Sequence, residues 1–193
     1  MRSKDFDETE VLKKAITIFW KNGYNGTSLH DLIDGLGIAR SSIYHAFGDK
    51  HGLYIKALEL YQQEGTRRIL AVLDNTTSVK EGIKALLDLV IGDVVARGRP
   101  KGCFKVNAEV EVASQDKPSH KLLCEDNRVI EDALYAYIQK GQHNGDINPS
   151  KDARALARFL CNTITGMRVY AKVTNDKQFF EDIAATALSL FDN

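Results

Sequence analysis

An all-α fold of about nine helices is what the pattern of this 193-residue chain predicts. Apolar residues recur at three- and four-residue spacing through most of its length, and no strand-like alternation persists anywhere. Breaks rich in Gly, Asn and Pro, notably GRPKG at 98–102 and GQHNGDINPS at 141–150, separate the helical stretches. No internal repeat or low-complexity stretch interrupts this reading.

The first helix is expected from about Phe6 to Asn22. Leu12, Ala15, Ile16, Phe19 and Trp20 form its apolar stripe, and Gly23 stops it. From Thr27 to Lys50 the chain reads TSLHDLIDGLGIARSSIYHAFGDK, two short helices around a tight turn. Thr27 or Ser28 caps the first of them. Leu29, Leu32, Ile33 and Leu36 give it one apolar face, and Gly35 and Gly37 end it. Ile43 and Phe47 continue an inward face through the second helix, which turns Arg40, Ser41, Ser42, Tyr44 and His45 outward with no acid until Asp49. A short helix braced across another and showing hydrogen-bond donors is what a helix-turn-helix lays in a DNA major groove. Arg40 suits the O6/N7 edge of guanine, Ser41 and Ser42 reach a base edge or phosphate, and Tyr44 bonds a phosphate or stacks on a sugar or thymine methyl. His45 suits either role. Thr27, Ser28 and Lys50 lie at helix starts, where N–H groups and positive charge bind phosphate. The plainer readings are that Thr27 is a cap and Tyr44 a half-buried ring.

The lead-in GYNGTS (23–28), the core GIARSSIYHAF (37–47) and the exit GDKHGLY (48–54) resemble the N-terminal domain of TetR/AcrR-family transcriptional repressors. Ala46 stands where that family often has a phosphate-gripping histidine, which shifts the expected contact to His45 or Lys50. The resemblance implies a DNA-binding domain at 1–50 and a helical regulatory and dimerisation domain at 51–193. It further implies a homodimer on a palindromic double-stranded operator, a small-molecule effector that causes release, and pairing of the last two helices with their copies in a four-helix bundle.

Asp49 is expected to cap a long fourth helix from Lys50 to about Leu73, with Leu53, Ala57, Leu60 and Tyr61 inward, broken by Asn75-Thr76-Thr77 near the domain boundary. Ser78 and Glu81 have the spacing of a capping box. Val79, Ile83, Leu86, Leu87, Val90, Ile91 and Val94 then make the fifth helix apolar over a wide arc. After GRPKG comes a short helix, Cys103 to about Ser114, with Cys103, Val106, Asn107 and Val110 on one face. Pro118 and Ser119 open a helix ending at Gly141, and Ser150 is expected to cap the next. That helix turns Ala153, Leu156, Ala157, Leu160, Cys161 and Ile164 inward. Asp176 starts the last helix, with its stripe of Phe180, Ile183, Ala184, Ala187, Leu188 and Phe191. The dimer contact is expected on Leu156, Leu160, Ile164, Phe180, Ala184, Ala187 and Phe191.

By family analogy an effector cavity is expected among Cys103, Asn107, Glu111, Asn127, Tyr137 and Arg168; taken singly, each of these also reads as an ordinary core or surface residue. Cys103 has a second reading. It follows a glycine break at a helix start, where the dipole lowers a thiol pKa, and Arg99, Lys101 and Lys105 are close in sequence. That would make it the thiolate of a redox- or electrophile-sensing repressor; the alternative is an inert small hydrophobe in a packed face.

Lys and Arg number 26, as do Asp and Glu, so whole-chain charge does not advertise nucleic acid. From Ile38 to Lys56, however, Arg40, Lys50 and Lys56 face only Asp49. The three cysteines are far apart and fit reduced cytoplasmic thiols, and no histidine or cysteine spacing suits a metal. No cofactor, membrane span or signal peptide is expected. GxSxG, HExxH and phosphate-cradling glycine loops are missing, which argues against an enzyme. A helical interaction protein without DNA binding would explain the stripes but not the stretch 27–50.

Overall fold

A computed structural model describes residues 6–98 and 100–192. Among them are nine helices and no strand: α1 (Glu8–Asn22), α2 (Leu29–Leu36), α3 (Arg40–Phe47), α4 (Lys50–Asp74), α5 (Val79–Val95), α6 (Phe104–Glu111), α7 (Lys117–Asn144), α8 (Ala153–Tyr170) and α9 (Lys177–Ser189). Arg99, one of the bases expected near Cys103, lies outside the described residues.

The chain gathers into two compact units. One takes residues up to Glu64 together with Cys103–Leu123; the other takes Gly65–Gly102 and the chain from Cys124 onward. In the first, Ala15 and Phe19 of α1, Leu32 of α2, Ile43 of α3 and Leu53 and Ala57 of α4 are wholly buried in one core. Phe104, Ala108 and Val112 complete this core from a distant part of the sequence. Tyr54 lies at its centre, edge-on to Phe19 at 5.0 Å and to Phe104 at 5.6 Å. Burial, with the Glu111 and Asp116 carboxylates near it, pushes the Tyr54 phenol far up and keeps it neutral.

The second unit is built on α5, whose expected apolar arc from Val79 to Val94 is buried throughout. Leu134 and Ile138 of α7, Leu160 of α8 and Phe180 of α9 are fully buried around it, and Phe191 is buried beyond the end of α9. Gly82 lets α7 approach: a Cβ there would overlap the Tyr137 hydroxyl, which shares a 2.6 Å hydrogen bond with Thr76 Oγ1.

Several local expectations are corrected. Ser78 stands at the N-cap of α5 but forms no side-chain cap; Asp146 Oδ2 accepts from Val79 N–H instead, at 3.2 Å. Asp152 rather than Ser150 caps α8, because Ser150 is drawn back onto Asn148. Helix α7 continues past Gly141, which is buried under Val79 and Ile147, to Asn144. Gly35 lies inside α2, under Ile18, and only Gly37 ends that helix. Val110, expected inward, is 80% exposed, since the buried arc of α6 runs through Phe104, Ala108 and Val112. Leu160, Ile164, Phe180, Ala184, Ala187 and Phe191, expected at the dimer contact, are buried in the protomer's own core, with Leu156 packed against it. What α8 leaves outside is its opposite face.

Candidate nucleic-acid interface

Ser28 caps α2 through a reciprocal box. Its Oγ accepts from Asp31 N–H at 3.1 Å, and the Asp31 carboxylate accepts from Ser28 N–H at 2.8 Å and Ser28 Oγ–H at 2.7 Å. The Ser28 hydroxyl and N–H hold the Asp31 carboxyl below its usual range. Gly37, at φ 70°, ends the helix in the left-handed conformation, and its N–H bonds Ile33 C=O at 3.1 Å. That turn sets α3 at a new angle.

Ile43 and Phe47, one helical turn apart and both buried, seat α3 on the first core. Its other side shows Arg40, Ser41, Tyr44 and His45, all exposed, with Ser42 half-buried at the edge. Arg40 Nη2 donates to Tyr44 Oη at 3.4 Å, and the guanidinium lies 5.4 Å from the ring centroid. The two side chains brace each other at i, i+4 while leaving donors toward solvent.

Thr27 and Lys50 meet at the other edge. Thr27 is buried; its hydroxyl donates to Gly23 C=O at 2.6 Å, and its own C=O accepts from Lys50 Nζ at 2.6 Å. The Lys50 ammonium also lies 4.4 Å from the centroid of Tyr24. Asp49 Oδ1 accepts from Gly52 N–H at 2.7 Å, as expected of a cap for α4. Thus Arg40, Ser41, Tyr44 and His45 share one exposed face, Ser28 lies exposed at the head of α2, and Thr27 contributes backbone and packing.

Of the residues expected to line an effector cavity, Cys103, Asn107 and Glu111 belong to the first unit and Asn127, Tyr137 and Arg168 to the second. Cys103 is buried and stands 3.4 Å from Tyr61 Oη. Asn107 donates to Trp20 C=O at 3.3 Å. Both Glu111 oxygens accept backbone N–H groups, from Tyr24 at 2.9 Å and Asn25 at 2.7 Å. Sequence reasoning missed Tyr24 as a participant, together with the 2.9 Å pair of His51 and Asp116 beside it. These partners lie 65 to 87 residues apart, and no local pattern signals them.

A three-helix head whose last helix is seated by two apolar side chains and shows Arg, Ser, Tyr and His outward defines a helix-turn-helix DNA-binding regulator. Two family descriptions match the chain: "Bacterial regulatory proteins, tetR family" over residues 11–57 and "Tetracyclin repressor-like, C-terminal domain" over 79–187. The chain belongs to the TetR family of transcriptional regulators. It is 32% identical over 99% of both chains to the uncharacterized HTH-type transcriptional regulator YezE of Bacillus subtilis. To the HTH-type transcriptional repressor ComR of Escherichia coli it is 27% identical, covering 98% of this chain and 91% of that one. Among solved structures it resembles a cysteine mutant of the TetR-family regulator CifR in complex with 26-bp double-strand operator DNA. That match has a TM-score of 0.88 at 28% identity and covers 97% and 98% of the two chains.

Proposed function

We propose that this chain is a homodimeric repressor that binds a short two-fold symmetric operator and releases it when a small molecule occupies its regulatory part. The observation that carries the reading is the exposed face of α3, where Arg40, Ser41, Tyr44 and His45 are held outward by buried Ile43 and Phe47. Repressor relatives and the operator-bound CifR structure support it. In this reading residues 1–50 read DNA, with Ser42, Lys50 and Ser28 at the phosphate edges and buried Thr27 holding Lys50 from within, while residues 51–193 bind effector and dimerise. The protein works in the cytoplasm, has no catalytic activity and needs no cofactor. No helix among the described residues is long and apolar enough to cross a membrane.

The dimer contact is assigned to the outer face of α8 with α9. Phe159, Val169 and Tyr170 are 44%, 44% and 53% exposed there, the apolar surface this pair of helices leaves uncovered. A gel shift with the DNA upstream of the protein's own gene tests the reading. Wild type should retard it and Arg40→Ala should not; equal retardation by both would remove α3 as the reading element.

A thiol trigger at Cys103 is a second reading, favoured by its place at the N-cap of α6 beside the Tyr61 hydroxyl. Cys103→Ser should then keep full operator affinity and abolish release by thiol-reactive compounds. Release at the wild-type rate would leave effector occupancy alone.

A further inference from the structure

Helix α6 holds the turn after α1 through one carboxylate. Gly23, at φ 77°, turns the chain off the end of α1, and the next two N–H groups, of Tyr24 and Asn25, point at Glu111 at the C-terminal end of α6. A Cβ on residue 23 would stand 2.8 Å from Glu111 Oε2, so turn and carboxylate fit only with glycine there. One turn earlier on α6, Asn107 donates to Trp20 C=O, and Phe104, Ala108 and Val112 anchor the helix in the same core. The clamped turn leads into Thr27, whose N–H bonds Tyr24 C=O and whose C=O receives Lys50 Nζ. Tyr24 in turn supplies the ring under the Lys50 ammonium. Residue 111 is therefore two hydrogen bonds from Thr27, which precedes the capped start of α2, and three from Lys50.

We propose that Glu111 is a positioning residue for DNA binding: its carboxylate sets the turn that places Lys50 and the start of α2, so operator affinity depends on α6. The inference rests on the DNA-binding reading above. It moves Glu111 from effector contact to the mechanical link, with bidentate acceptance of charge-assisted hydrogen bonds as its chemistry.

The test measures affinity for operator and for non-operator DNA by fluorescence anisotropy across a salt series. It compares wild type, Glu111→Ala, Glu111→Gln and Arg40→Ala, with amide hydrogen exchange at Tyr24 and Asn25. Because phosphate-edge groups are displaced, Glu111→Ala should weaken both DNAs by the same factor, on the order of tenfold. It should also flatten the salt dependence and leave the specificity ratio intact. Glu111→Gln keeps one acceptor oxygen and should fall between. The Tyr24 and Asn25 amides should be protected in wild type and exchange roughly tenfold faster or more in Glu111→Ala. Operator affinity unchanged in folded Glu111→Ala overturns the proposal. If that variant does not fold, unchanged affinity in Glu111→Gln, or unprotected amides in wild type, does so. Failure of the underlying reading looks different: Arg40→Ala would then bind as wild type does.

Discussion

Arg40 has no acid near it on α3 and is held by Tyr44 against the helix surface, so its fork is partly ordered before DNA arrives. Ordering in advance lowers the entropy cost of a bidentate base contact. Arg40→Ala is expected to cost about 1–3 kcal/mol of operator affinity and to relax preference at one base position. Titrating a set of single-base operator variants checks both parts. At Ser28 the cap itself is at stake: Ser28→Ala should lower stability by about 1 kcal/mol, read as a shift in the denaturation midpoint. The Asp31 half of the box has a definite pH signature. Its carboxyl is depressed in the folded protein, so its contribution is fully present above the ordinary value of 3.8 and is lost as pH falls through the lower folded value. Acid titration of Asp31→Asn should therefore lack that part of the loss seen in wild type. Arg40, Tyr44 and a cap at Thr27 or Ser28 were legible in sequence because caps and donor faces are written in adjacent positions, whereas the Asp31 half of the box was not singled out. The Glu111 and His51 links were not, since their partners are brought together only by the fold.

Among the elements, α3 and α5 were the most readable, α3 from its one apolar face and α5 from its wide apolar arc. Helices α8 and α9 show where periodicity stops informing. Their apolar stripes were visible, but a stripe says only that a face is covered, not by what. Here the protomer's own α5 and α7 cover it. Substitutions therefore separate the two faces. Ala184→Glu places a charge where 8% of the residue is exposed and should unfold the protomer, seen as lost helical signal. Phe159→Glu alters the outer face and should give a folded monomer with weakened operator binding. Sedimentation velocity distinguishes the outcomes, and an intact dimer in Phe159→Glu would place the contact elsewhere.

For the whole molecule, α4 begins with Lys50 in the first unit and ends with Asp74 in the second, and α7, from Lys117 to Asn144, likewise runs from one into the other. An effector lowers operator affinity only by favouring a state in which the two heads meet DNA wrongly. In the function proposed above, α4, which carries Lys50, and α6, which carries Glu111, are the helices through which such a state would act. The all-α class and the position of the head were legible because helical period and glycine turns are local signals. Packing residues 103–123 with the head was not, because it depends on contacts spanning much of the chain.

The most direct test is selection of bound sequences from a random double-stranded DNA pool by the purified protein. A dimer presenting two copies of α3 should enrich a palindrome whose half-sites are centred about one helical turn apart, roughly 34 Å, or a multiple of that. The same selection with Arg40→Ala should lose information at one position in each half-site. No enrichment, or a motif without two-fold symmetry that Arg40→Ala leaves unchanged, would contradict a dimeric repressor reading DNA through α3.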